Sequence, residues 1–415
     1  MATTGPRLAA EGRARIEWAE GQMPVLRSIR ARLADERPLA GLRVGACLHM
    51  TAETACLASA LAAGGAELAL CSANPLTTQD EVVAALVADG VAAHGRRGED
   101  ADAYAAGVLA VIDAAPDVTL DDGADLLGVL HAARPDGLER LIGGTEETTT
   151  GLVRLRGLAA EGRLACPVIA VNEARTERLF NDHYGTGQSA LDGILRATNL
   201  LMAGRTMVVL GYGWTGKGIA LRARGAGAQV IVCEVDAMRA LEARMEGFEV
   251  MPAVQAAARG DVFVTVTGNR DVLGPEHFAV MPDGAVLANA GHFDVEIDLP
   301  GLLASAVAEP RDVLPLVTQY DLGDRKLNLL AAGRVVNLAA GQGHPAAVMD
   351  MSFATQALAV EHLVRNGAAL GAGVHPVPTD VDQEVARLKL AAFGVRIDAL
   401  SVAQARYKRG WQVAH

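Results

Sequence analysis

The chain has 415 residues, 51% of them hydrophobic and 21% charged, which is enough apolar material for two or three folded domains and too much for a disordered chain. A formal net charge of −12 at pH 7 excludes the basic footprint of a nucleic-acid binder. The five cysteines (Cys47, Cys56, Cys71, Cys166, Cys233) form no CxxC pair and mostly lie in or beside apolar runs, so buried thiols in a reducing cytoplasm are expected rather than disulfides or a zinc site.

Residues 6–36 read as amphipathic helix with a break allowed at Pro24, and they lack the apolar core of a signal peptide. No later apolar run approaches the roughly 18 residues of a membrane span. A buried strand over 42–48 ends at His49-Met50-Thr51-Ala52-Glu53-Thr54. Ligands of open α/β sheets sit beyond the carboxyl ends of strands, so this cluster is a candidate site. Its alternative is a cap, with Thr51 starting a helix over 52–63. A strand at 67–71, a helix at 81–89, a helix at 101–114 and a strand near 117–120 follow. The last strand runs into Asp121-Asp122-Gly123-Ala124-Asp125, either a ligand-facing carboxylate group or an acidic loop with Asp125 as helix cap. A second polar cluster, Gly143 to Gly151, precedes the strand 167–172 and the segment 173–185. Residues 188–203 read as helix.

The densest signal is Val208-Val209-Leu210-Gly211-Tyr212-Gly213-Trp214-Thr215-Gly216-Lys217-Gly218. An apolar strand enters spaced glycines and an alanine-rich helix follows. Gly211 suits the tight turn, Gly213 lets backbone approach a pyrophosphate, and Gly216 lets helix and strand pack closely. A second strand, Val230 to Cys233, ends at Glu234, 18 residues after Gly216. A carboxylate there grips the adenosine ribose of NAD and repels the added phosphate of NADP. Strands at 262–268 and 285–292 continue the alternation, Arg334 to Leu338 closes the domain, and Gly341-Gln342-Gly343-His344-Pro345 reads as a hinge before a helix at 346–365. A helix near 380–391 and a short tail complete the chain.

In order along the chain, His-Met-Thr-x-Glu-Thr at 49–54, Leu-Asp-Asp-Gly-x-Asp at 120–125, Glu-Glu-Thr-Thr-Thr-Gly at 146–151, Gly-Tyr-Gly-x-x-Gly-Lys-Gly at 211–218, Gly-His-Phe-Asp-Val-Glu-Ile-Asp at 291–298 and Gly-His-Pro at 343–345 resemble the adenosylhomocysteinase (S-adenosylhomocysteine hydrolase) family. The resemblance is collinear from about His49 to about Tyr407. It implies an α/β protein of two Rossmann-like three-layer domains plus a short C-terminal segment. Residues 1–186, completed by 346–375, would bind substrate; 187–345 would bind NAD; and 376–415 would serve oligomerisation. It further implies a cytoplasmic homo-oligomer, dimer or tetramer, acting on an adenine nucleoside, with no nucleic-acid, membrane or metal partner.

The chemistry implied is a redox cycle. The ribose 3′-hydroxyl is oxidised to a ketone by tightly held NAD, the C4′ proton becomes acidic, and the 5′ substituent leaves. Water then adds at C5′ and the ketone is reduced. By position, His49, Asp122 and His292 match the acid–base residues, and Glu147 matches the carboxylate on the ribose hydroxyls. Thr51, Glu53, His344, Met349 and Phe353 match the adenine pocket. Thr148, Thr149, Thr150, Gly211, Gly213, Thr215, Gly216, Glu234 and Asn337 match NAD contacts.

The departures fall around the sugar and the hinge. A family lysine is Glu177 here, the neighbouring catalytic aspartate is Asn181, and the following asparagine is Asp182. An ammonium is deleted and a carboxylate relocated, so the ribose contacts must differ. A family cysteine is Thr186, a hinge methionine is Gln342, and Asp350 and Met351 replace a Ser-Asn pair. The family's lysine- and tyrosine-bearing C-terminal tail, which reaches a neighbouring subunit's NAD, has no match. The leading expectation is therefore a diverged NAD-dependent lyase or dehydratase that makes a 4′,5′-unsaturated nucleoside of the angustmycin type. The alternatives are ordinary S-adenosylhomocysteine hydrolysis with Glu177 in place of lysine, a degenerate homologue of poor activity, and a non-catalytic NAD or nucleoside sensor.

Overall fold

A computed structural model describes residues 5–291 and 294–409. The first half carries β1 (Arg43–Leu48), β2 (Glu67–Ser72), β3 (Ala92–His94), β4 (Val118–Asp121), β5 (Gly143–Glu146) and β6 (Pro167–Ala170). The second carries β7 (Thr206–Leu210), β8 (Gln229–Cys233), β9 (Glu249–Val250), β10 (Val262–Thr265), β11 (Val286–Asn289), β12 (Arg311–Leu314), β13 (Val317–Asp321) and β14 (Lys326–Leu330). The chain then returns to the first sheet with β15 (Gly373–Pro376).

The sheet orders are β15-β6-β5-β4-β1-β2-β3 and β12-β13-β14-β11-β10-β7-β8-β9. Every pairing is parallel except β12 with β13 and β13 with β14. The central strands are buried along most of their length, as parallel strands covered on both faces must be. Buried apolar residues form four clusters, two against each sheet, so each half is a three-layer α/β domain.

Among the parallel strands of each sheet, strand order reverses once. In the first sheet the reversal lies between β1 and β4; in the second, between β7 and β10. Helices leave neighbouring strands there in opposite directions, and a crevice opens at the strand ends. His49 and Asp122 follow β1 and β4. The glycine turn at 211–216 follows β7.

Several expectations change. The helix expected over 188–203 ends at Thr198, because Asn199 turns left-handed (φ 52) and its backbone N–H caps the helix on Leu195. Asp125 does not cap the helix Asp125–Ala133. The buried Asp121 does so instead, accepting from Leu126 N at 2.9 Å and Leu127 N at 3.1 Å. Residues 173–185, without an assigned element in the sequence, run into a π-helical stretch, Glu177–Thr186. The helix Thr379–Ala392 packs on the first domain, with Val377 and Val385 inside its core. The break near Pro24 is present, between helices Pro6–Gly21 and Pro24–Glu36.

Asp350, grouped with the departures around the sugar and hinge, works inside the first domain. It is fully buried and accepts from Val25 N at 3.2 Å and Leu26 N at 2.9 Å, the exposed donors at a helix start. Lys389 Nζ lies 2.8 Å from it. One carboxylate thus ties three helices together. Asp350→Ala should therefore cost about 3–5 kcal/mol of stability by urea unfolding, since Lys389 is left buried and unpaired. A loss under about 1 kcal/mol would contradict this role.

Candidate active site

His49 leaves β1 into the crevice. Its Nδ1 lies 2.6 Å from Thr77 Oγ1, and Thr77 Oγ1 donates to Asn74 O at 3.0 Å. The threonine proton is therefore committed, so His49 Nδ1 carries the hydrogen toward Thr77. Nε2 faces Asp122 Oδ2 at 3.5 Å, where a proton on the ring makes the two an ion pair. Thr51 caps the helix Ala52–Ala63 as the capping alternative expects, accepting from Thr54 N. Glu53 sits on the first turn of the same helix.

Two adjacent carboxyls end β5 and have separate tasks. Glu146 is buried; its Oε1 accepts from Gly123 N, Thr148 N and Thr148 Oγ1 at 2.8–2.9 Å. Burial pushes its carboxyl well above the usual range, and the nearby Asp121 adds to this. Thr148 also accepts from Gly151 N, so its hydroxyl is spent on the helix start. Thr149 donates to Asn172 at 3.0 Å, and Thr150 follows on the first turn of that helix.

Glu147 Oε1 accepts from Ser352 at 2.6 Å, while Glu147 Oε2 is buried without a partner. Glu177 is 3% exposed, and its Oε1 is likewise unpartnered. Burial raises the Glu147 carboxyl well above its usual range, with Glu177 the next largest cause. Burial also pushes Glu177 up to about 8, against the pull of a Ser352 hydrogen bond. Asp182 is pushed up to about 6 by burial, partly offset by Arg178, which lies 3.8 Å away. Asn181 is buried, and its amide reaches Met349 Sδ at 3.8 Å. Phe353 is buried on the same helix as Ser352.

The Glu177 backbone is held from a distance. Asp382 accepts from Arg175 N, Thr176 N and Thr176 Oγ1 at 2.7–3.0 Å, immediately before Glu177. At the hinge, His344 Nε2 lies 3.0 Å from Thr186 Oγ1 and 3.5 Å from Asn337 Nδ2. Burial lowers His344 to about 4, with repulsion from His49 second, so its ring is neutral at pH 7. Gln342 instead lies exposed, its amide oxygen 3.2 Å from Arg15. His292 lies outside the described residues.

The second crevice fits a dinucleotide. Gly211 has φ 106, and a Cβ on Gly216 would stand 2.0 Å from Gly211 O, so helix and turn touch as the spacing predicts. Gly213 is open, with nothing within 3.8 Å of a Cβ there. It starts the helix Trp214–Gly225 without a side-chain cap, leaving that end free for phosphates, with Thr215 on its first turn. Glu234 Oε2 accepts from Tyr212 N at 2.7 Å, which fixes the carboxylate beside the glycine turn. Asn337 Oδ1 is buried and unpartnered. These groups suit NAD: amides for the pyrophosphate, a carboxylate for the ribose diol, and an amide oxygen in need of a donor.

Sequence reasoning missed Thr77, Ser352, Asp382 and Glu296. The buried Glu296 gathers Thr267 N, Thr267 Oγ1 and Gly268 N at 2.7–2.8 Å beside the second crevice. Glu296 lies inside the 291–298 motif, which carries no sign of this task; the other three work on segments distant in sequence or across a turn.

The two crevices define a nicotinamide-dependent enzyme with a carboxyl-rich second site. The family model described as "S-adenosyl-L-homocysteine hydrolase, NAD binding domain" matches residues 182–343, and that described as "S-adenosyl-L-homocysteine hydrolase" matches residues 4–139. An adenosylhomocysteinase of Aquifex aeolicus is 55% identical over 408 residues, covering 98% of this chain and 97% of that protein. An S-inosyl-L-homocysteine hydrolase of Methanopyrus kandleri is 52% identical over 408 residues, covering 98% and 96%. The chain belongs to the S-adenosylhomocysteine hydrolase family and is an NAD-dependent enzyme. A solved dipicolinate synthase chain from Bacillus halodurans shares the fold alone, with a TM-score of 0.51 and 14% identity, covering 79% of this chain and 99% of that one. Among the described residues no helix is long and apolar enough to cross a membrane, and no cluster of three metal-binding side chains occurs.

The raised Glu177 carboxyl links stability to pH. The folded protein holds this proton up to about 8, against an ordinary 4.5, so stability falls as pH rises through that window. Glu177→Gln removes the dependence. Its stability relative to the unsubstituted protein should rise between about pH 5 and about pH 8 in urea unfolding. A difference that stays flat across this range would contradict the burial argument.

Proposed function

We propose that the enzyme acts on the sugar of a 5′-substituted adenine nucleoside, turning C3′ into a ketone and eliminating the 5′ substituent across C4′–C5′. The carrying observation is that His49 and Asp122 meet at a strand-order reversal, 3.5 Å apart, in the same domain as the buried carboxyls Glu147 and Glu177. Bound NAD supplies the hydride acceptor and later the hydride. The remaining tasks belong to side chains. Glu147 and Glu177 orient the 3′-hydroxyl, and whichever of the two is ionised takes its proton. His49 Nε2 and Asp122 remove the C4′ proton, made acidic by the ketone, and protonate the departing 5′ atom.

In hydrolysis, water then adds at C5′, and S-adenosylhomocysteine gives adenosine and homocysteine. The names and near-complete coverage of the relatives favour this reading. A relative named for an S-inosyl substrate is about as similar, so overall identity does not select the purine.

Glu177 favours a second reading, in which the 5′-hydroxyl leaves as water and none is added back. The product is a 4′,5′-unsaturated nucleoside of the angustmycin type. A thiol leaves with a pKa near ~8.5, whereas water stands near ~15.7, so this elimination needs a strong proton supply. Glu177, raised to about 8, and Asp182, raised to about 6, keep protons close to neutral pH. The proposal includes a cytoplasmic homo-oligomer, dimer or tetramer.

The test is to incubate NAD-loaded protein separately with S-adenosylhomocysteine and with 5′-hydroxyl adenine nucleosides, then analyse products by mass. Free homocysteine supports hydrolysis. A product lighter by one water supports the dehydratase. Tight binding with neither product overturns both and leaves a sensor. Glu177→Gln should lower turnover at least ~100-fold while bound NAD stays constant; unchanged turnover removes Glu177 from the chemistry.

A further inference from the structure

The π-helical run Glu177–Thr186 is a strut held at both ends. Its first end belongs to the first domain, where Asp382 accepts from Arg175 N, Thr176 N and Thr176 Oγ1 just ahead of Glu177. Its far end runs without a break into the helix Gly187–Thr198 and meets the dinucleotide helix Trp214–Gly225 backbone to backbone. A Cβ on Gly218 would stand 1.9 Å from His183 O, and one on Gly187 would stand 2.6 Å from the Gly218 carbonyl carbon. Gly218 follows the three glycines that the turn, the pyrophosphate and the helix–turn contact explain. The close approach to the strut is what requires it.

The π register decides which side chains the strut turns inward. At roughly 3.6 residues per turn, the stretch from Glu177 to Thr186 would make two and a half turns and put the two on opposite faces. The wider π turn brings both inward, and both are buried, as is Asn181 between them. The strut therefore carries a carboxyl oxygen in need of a donor at one end and the hydroxyl that meets His344 at the other. A second contact ties it to the dinucleotide crevice. Asn337 is 5% exposed with Oδ1 unpartnered, and its Nδ2 donates to Ser189 Oγ at 3.3 Å, on the helix that continues the strut.

We infer that NAD in the second crevice orders Glu177 in the first, with Gly187, Gly218 and Ser189 as the positioning residues of this coupling. A dinucleotide satisfies the open amides at the start of Trp214–Gly225 and gives Asn337 Oδ1 its donor. A helix fixed in this way leaves the strut no room to shift, because the contact between them has no side chain to yield. A ligand of the first crevice then meets a Glu177 already in place and binds more tightly, and by reciprocity it tightens NAD by the same factor. The inference goes beyond the proposed reaction and rests on that reading only for the ligand being a nucleoside.

Amide hydrogen exchange with and without NAD tests this in the absence of any nucleoside. NAD should slow exchange at least ~5-fold over residues 178–186 as well as at the glycine turn 211–216. Gly218→Ala and Gly187→Ala should keep the slowing at the turn, which reports bound NAD, and lose most of it over 178–186. Ser189→Ala, which adds no bulk and so does not threaten folding, should lose part of it. Gly225→Ala, in the same helix with nothing within 4 Å of a Cβ, should keep both. Exchange over 178–186 that ignores NAD while the turn is protected would overturn the inference. So would full protection of 178–186 in Gly187→Ala or Ser189→Ala. The parent reading fails differently. A protein whose strut responds to NAD but that never reduces NAD with adenosine refutes the proposed function alone. One that reduces NAD while its strut ignores NAD binding refutes the coupling alone.

Discussion

Parallel strands all present their carboxyl ends on one side, so a crevice opens only where strand order reverses. This chain uses that constraint twice. In one sheet the reversal brings the ends of β1 and β4 together, and with them an imidazole and a carboxylate. In the other it opens the glycine turn after β7 against the loop after β10. The loop is drawn tight by Glu296. Reactive groups from distant parts of the sequence meet because topology leaves them one place to meet.

The second consequence is electrostatic. Glu147, Glu177 and Asp182 lie in or beside the first crevice, and burial raises all three. A buried carboxyl without a cation keeps its proton, which turns a set of bases into a store of acid. His344, neutral at the crossing between domains, adds no compensating positive charge. The family resemblance places an ammonium at the position of Glu177, so the change of sign there alters proton supply more than shape. Asp382 holds the backbone just before the altered carboxyl from another helix.

How much of this was legible in the sequence follows from the range of each interaction. The glycine turn, the acid at Glu234 and the strand-end His49 were readable because each depends on neighbours within a few dozen residues. The alternation of apolar strands and helices was readable for the same reason, and the resemblance implied the two three-layer domains. Thr77, Ser352 and Asp382 were not readable. Asp382 caps backbone about two hundred residues earlier, and Ser352 meets Glu147 across a similar distance. The resemblance grouped Asp350 with changes around the sugar and hinge, but a substitution named by position carries no direction, and its carboxylate turns toward Val25 and Lys389. The antiparallel run β12–β14 left no signal beside the stronger βαβ pattern, and the π-helical run at Glu177 has no period that a helix or strand template detects.

The account turns on whether hydride leaves the sugar. Rapid mixing of NAD-loaded protein with an adenine nucleoside, followed by nicotinamide absorbance, reads this directly. A transient rise of reduced nicotinamide that decays as product forms is the predicted result. Protein that holds its dinucleotide and binds nucleoside, yet shows no reduced nicotinamide at any time, would contradict it.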